Sequence, residues 1–136
     1  MGWRYPRRLP FALTALTVAE SDSAAGPAAT GETVLVRVSH YWPPLGGPNC
    51  ARFVDGECLS RMSSGEAWQD WVERAIACPS EWEFGTRVVV SGREWVCMDR
   101  GGAIVYEEDG IPWVDMLTPQ PLFPHGTVVE ASLIHP

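Results

Sequence analysis

The sequence predicts a mainly β domain, a small barrel or sandwich with little helix. Three observations carry this. Apolar and polar residues alternate over Thr33 to Tyr41, the period of a half-buried strand. Arg87 to Val90 and Glu94 to Met98 are two further strand-like runs, with Ser91-Gly92 between them as a two-residue turn, which is hairpin chemistry. Thirteen glycines and 12 prolines punctuate the chain, so about six short strands fit better than a few long elements. At 136 residues the chain is long enough for one real core and too short for two.

Taken in order, Met1 to Arg8 holds three arginines and no acid, and Leu9 to Ala19 is mostly apolar, with small residues following. That order matches a secretory signal peptide with cleavage near Ala19 or Ala25; an N-terminal tail is the alternative. Ser21 to Gly31 reads as a flexible linker. Residues 1–31 are therefore expected to be leader and linker, and 32–136 the folded domain. Such a protein is secreted, periplasmic or held in the cell envelope, with no stable membrane span after processing.

In the first strand Val34, Val36, Val38 and His40 fall on one face and Leu35, Arg37, Ser39 and Tyr41 on the other. Pro43 to Pro48 cannot continue it, because proline lacks the ladder donor. A loop holding Cys50 and Cys58 follows. Ser63 to Glu66 has the spacing of a capping box, and Trp68, Trp71, Val72, Ala75 and Ile76 fall at helical spacing, which allows a three-turn helix. The competing reading is a turn followed by a strand from Arg74 to Cys78. Beyond the hairpin, Ala103 to Tyr106 reads as a strand closed by the acidic turn Glu107 to Gly110. Ile111 to Met116 reads as another short strand, Thr118 to Pro124 as a loop, and Gly126 to Ile134 as a last strand.

Charge narrows the partners. All ten basic residues are arginine; three of them precede Glu20, leaving seven against 17 acids at or beyond it. An acidic surface repels phosphate backbones, so nucleic acid is not an expected partner. The four cysteines contain no Cys-x-x-Cys pair, so two disulfides are a simpler reading than a structural zinc. Of three possible connectivities, the pairs nearest in sequence are favoured: Cys50 with Cys58, and Cys78 with Cys97.

Asp99 ends an apolar run and precedes Gly101-Gly102, the place where a strand stops and the backbone turns sharply. Trp113 and Asp115 are two apart in a strand and share a face. An indole beside a carboxyl suits a sugar-cleaving site; the alternative is that Asp99 caps a turn and Trp113 fills the core. Trp42, Trp68, Trp82 and Trp113 lie in or near loops, where they can stack on sugars, although more than half of the seven tryptophans are expected in the core. His40 is read as solvated or as a substrate contact.

Val38-Ser39-His40-Tyr41, Met62 to Gly65, Phe84-Gly85-Thr86-Arg87-Val88, Asp99-Arg100-Gly101-Gly102-Ala103-Ile104, Val114-Asp115-Met116 and Gly126-Thr127-Val128-Val129 resemble, in that order, the 3D domain. That domain is named for its three aspartates. The resemblance runs from Thr33 to the C-terminus and implies a six-stranded double-psi β-barrel. It extends to the A-type lytic transglycosylases and is similar to the rare lipoprotein A family, the expansins and the barrel-type endoglucanases. By resemblance, Asp115 matches the proton donor and Asp99 a second site aspartate, while the family's first aspartate is here Cys78. Tyr41, Trp113, Gly101 and Gly102 are the expected substrate contacts. The implied activity is glycan cleavage, as a peptidoglycan lytic transglycosylase or a glycosidase, by a monomer that needs neither cofactor nor metal and has a polysaccharide as partner. The alternative is an expansin-like module that binds polysaccharide without cutting it.

Overall fold

A computed structural model describes residues 31–101 and 109–136. The leader and linker, Gly102 and the strand expected at Ala103 to Tyr106 lie outside them.

Six strands close into a barrel: β1 (Glu32–Tyr41), β4 (Ala75–Ala77), β5 (Arg87–Val90), β6 (Arg93–Asp99), β7 (Trp113–Leu117) and β8 (Thr127–Ile134). A two-stranded ribbon, β2 (Phe53–Val54) with β3 (Glu57–Cys58), stands apart from them. Around the barrel the order is β1-β7-β4-β6-β5-β8. The protein is thus a mainly β, closed, six-stranded mixed barrel, compatible with a double-psi barrel. Alternation builds its interior: Val36 and Val38, Val88 and Val90, and Val114 and Met116 point inward around Trp95. Each fully buried Val or Met contributes about 1.5–3 kcal/mol.

The pairing repeats itself in two halves. The long strand β1 pairs antiparallel with β8 along Glu32–Val38 and parallel with β7 along Arg37–Tyr41. The long strand β6 likewise pairs antiparallel with β5 and then parallel with β4. Antiparallel contacts of β4 with β7 and of β5 with β8 join the halves. Both long strands therefore finish at the junction where β4 meets β7.

The helix allowed over residues 63–76 is absent. Trp68–Trp71 is a single 3-10 turn and Ala75–Ala77 is a strand, the competing reading. Trp68 and Trp71 pack on a second apolar cluster of Met62, Ala75 and Leu117 outside the barrel, so their spacing serves a turn rather than a helix face. Ala75, Ile76 and Ala77 are buried on both faces, because β4 has neighbours on either side and cover above and below. The hairpin forms as expected, with Ser91 at φ 51° and Gly92 at φ 80°, the left-handed pair of a type I′ turn.

Both favoured disulfides are present, Cys50–Cys58 and Cys78–Cys97. Of the six described tryptophans only Trp82 and Trp95 are buried, fewer than the majority expected. Both belong to the barrel's core cluster, whereas Trp42, Trp68 and Trp71 pack, partly buried, on the second cluster. His40 is half-buried: its Nε2 accepts the N–H of Leu122 at 3.0 Å, which anchors the proline-rich loop. Burial and His125 both lower its pKa, which keeps that acceptor free. Among the described residues no helix is long and apolar enough to cross a membrane.

Candidate functional site

Asp99 and Asp115 come together through β4. In register, Ala77 of β4 is paired with Asp99 on one side and with Asp115 on the other. Two strand spacings place the two aspartate backbones about 10 Å apart, with only a methyl between them. That small residue leaves a hollow of about 340 Å³, lined by Tyr41, Ser63, Trp68, Ala77, Asp99 and Asp115 and walled by the loop that Cys50–Cys58 closes. The volume lies within the roughly 300–1,000 Å³ of small-ligand sites.

Asp99 is held on every side. The Tyr41 hydroxyl donates to its Oδ2 at 2.8 Å, and the backbone N–H groups of Ser63 and Arg100 donate to its Oδ1 at 2.8 and 2.9 Å. The Tyr41 hydroxyl is in turn held firmly protonated by burial and by the carboxylate of Asp99, its pKa pushed well above the ordinary phenol value. Arg100 does not enter the hollow with its charge free. Its guanidinium bonds the carbonyls of Pro79 and Trp82, touches both sulfurs of Cys78–Cys97 and lies 4.0 Å from the centre of the Phe84 ring.

Asp115 is furnished differently. Its side-chain partner is the Ser39 hydroxyl, which donates to Oδ1 at 3.0 Å. Burial raises its pKa to about 6, the Ser39 hydrogen bond opposes this, the charge of Asp99 adds to it, and His125 opposes it weakly. Ser39 Oγ also lies 3.4 Å from the carbonyl of Val114. When Asp115 carries its proton the hydroxyl turns to donate there and accepts from the carboxyl; when Asp115 is ionised the hydroxyl turns back to it. One rotor thus serves both protonation states.

Tyr41, Gly101, Asp99, Asp115, Cys50 and Cys58 line one hollow. Trp113 does not. It shares the outward face with Asp115, as its spacing predicts, but lies at the start of β7, 5.2 Å from the His125 ring and 5.9 Å from the Arg37 guanidinium. Trp68 takes its place in the lining, set edge-to-face against Trp42 at 5.4 Å. Gly102 lies outside the described residues. Sequence reasoning missed Ser39, Ser63 and Ala77. Ser39 had a usable signal, being two residues before Tyr41 on the same strand face. Among the described residues no group of three or more His, Cys, Asp and Glu is placed to hold a metal ion.

Comparison with protein-family models, with curated proteins and with solved structures finds no match.

Proposed function

We propose that this chain is a double-psi β-barrel of the 3D type that cleaves a cell-wall glycan, with Asp115 as the proton donor. One observation carries the reading: on the wall of one hollow stands a carboxyl that stays protonated up to about pH 6, across Ala77 from a carboxylate whose two oxygens already accept three hydrogen bonds. A general acid works best with its pKa near the working pH, and one so placed contributes about 10² to 10⁴ in rate. Asp115 donates to the leaving glycosidic oxygen. As carboxylate it then takes the proton from the sugar's own hydroxyl while that oxygen closes an anhydro ring.

Asp99 is a poor second catalyst in this scheme, since three of its roughly four lone-pair sites already accept from Tyr41, Ser63 and Arg100. This favours the one-carboxyl transglycosylase route over a hydrolase, which needs a second carboxylate, as base on water if inverting or as nucleophile if retaining. The two disulfides are compatible with an extracellular or periplasmic location. A second reading, an expansin-like module that holds a polysaccharide without cutting it, is favoured by Trp68 in the lining, because an indole face binds sugar rings with no chemistry. Mass spectrometry of the fragments released from purified peptidoglycan tests both. Anhydro ends are expected; reducing ends mean hydrolysis, and bound but intact glycan means the binding module.

A further inference from the structure

The segment from Thr118 to Gly126 leaves the barrel at the end of β7, arches past the end of β1 and returns at the start of β8. Three N–H groups tie it down, each to β1. Thr118 donates to the carbonyl of Tyr41 at 3.2 Å, Leu122 to the His40 imidazole at 3.0 Å, and Gly126 to the carbonyl of Val38 at 2.8 Å. The outer two anchors are backbone carbonyls, which accept at any pH. The middle one is a ring nitrogen, which accepts only while it carries no proton.

Little else holds the middle of the arch. Pro119, Pro121 and Pro124 have no N–H to give, and Gln120 spends its own within the arch, on Thr118 Oγ1 at 3.4 Å. The Leu122 side chain is exposed, while Phe123 packs, partly buried, against the barrel core. At its centre the arch therefore rests on the Phe123 ring and on the bond between Leu122 and His40.

We propose that His40 is a pH-operated latch: at neutral pH its Nε2 holds the arch closed at Leu122, and in mild acid a solvent proton on Nε2 displaces the Leu122 N–H and frees the arch between its two permanent anchors. The fold keeps the latch shut at neutral pH, because burial and the neighbouring His125 hold the His40 pKa below the ordinary 6.5. The bond is therefore complete above that value and is lost as pH falls through the folded-state pKa. The charged and titratable groups around His40 come from each element beside it. Arg37 and Tyr41 flank it on β1, Asp115 lies on the paired strand β7, and His125 rides on the arch itself; on β8 the acid Glu130 pairs with Leu35, well back from His40. Asp115 exchanges its proton in a similar range, at about pH 6, so the two must be separated. Because His125 acts on the charge of both His40 and Asp115, opening the arch reports to the aspartate site.

Amide hydrogen exchange read by NMR on the intact protein, corrected for its intrinsic pH dependence, tests this between about pH 7.5 and about pH 4.5. Protection at Leu122 is expected to fall at least about tenfold in acid, with protection at Gly126 unchanged. The loss should track the titration of the His40 ring protons. His40→Gln offers an amide oxygen that accepts without titrating, so Leu122 should stay protected at both pH values. His125→Gln should keep the latch and raise its midpoint, since one of the influences that lowers the His40 pKa is gone. Equal protection of Leu122 at both pH values in the wild type overturns the latch. A loss that follows the midpoint of His125 or Asp115 instead of His40, or that persists in His40→Gln, overturns His40 as its sensor.

Discussion

Two aspartates on one hollow behave differently because their donors differ. Asp99 receives a hydroxyl and two backbone N–H groups, while Asp115 receives one hydroxyl and is otherwise desolvated. Desolvation penalises the charged form, so the proton stays on Asp115. The folded-state pKa, about 6 against an ordinary 3.8, lies above that of the unfolded chain. Its contribution to stability is therefore full below about pH 3.8 and is lost as pH rises through about 6, amounting to at most on the order of 3 kcal/mol. Asp115→Asn removes that loss. The variant should melt with the wild type at pH 4 and above it at pH 8, a comparison that scanning calorimetry makes directly. Turnover should move the other way, falling at least ~10²-fold in the variant, and in the wild type declining about tenfold per pH unit above pH 6. Wild-type turnover in Asp115→Asn removes Asp115 from the chemistry.

Among the elements, the loop between β1 and β4 is the one the barrel does not need. Its tip, β2 with β3, pairs with itself, and Cys50–Cys58 closes it with eight residues of separation. A bridge over so short a loop is worth about 2–3 kcal/mol to the loop's own order. Replacing both cysteines with alanine should leave the barrel's circular dichroism unchanged and lower glycan affinity, because Cys50, Ala51 and Cys58 form one wall of the hollow. An affinity equal to the wild type in that variant excludes the loop from ligand contact. The strands β1, β5, β6, β7 and β8 are legible in the sequence because each has one face inside and one outside, which writes a period of two. β4 is not, since burial on both faces leaves a short apolar run that periodicity cannot assign. The site follows the same division. Asp115 and Tyr41 sit on outward positions of legible strands; Asp99 falls in period with the inward Trp95 and Cys97, and only a register shift in the β4–β6 pairing brings it beside the outward Ala77, a break no alternation shows, while Ala77 matters by being small, and no pattern marks a missing side chain. Trp113 lies on the expected face but away from the hollow, because a shared face says nothing about position along the strand.

At the scale of the molecule, the site sits where the two long strands end. β1 finishes at Tyr41 and β6 at Asp99, equivalent positions in the two halves of the pairing, and the hydrogen bond between those side chains ties one half to the other. β4 and β7, the parallel partners of those strands, meet beside it and bring Ala77 against Asp115. The topology thus delivers the last residue of each long strand and the outward residues of both partners to one place, with little left to loops except the wall. Tyr41→Phe isolates the tie. The ring still packs on the second cluster, but Asp99 Oδ2 loses its hydroxyl donor in a half-buried setting, which costs about 1–3 kcal/mol. If the tie joins the halves, hydrogen exchange should quicken at the ends of both β1 and β6, together and ahead of the barrel core. Quickening confined to β1 means that the hydroxyl serves its own strand only, and that the β4–β7 and β5–β8 pairings hold the two halves together without it.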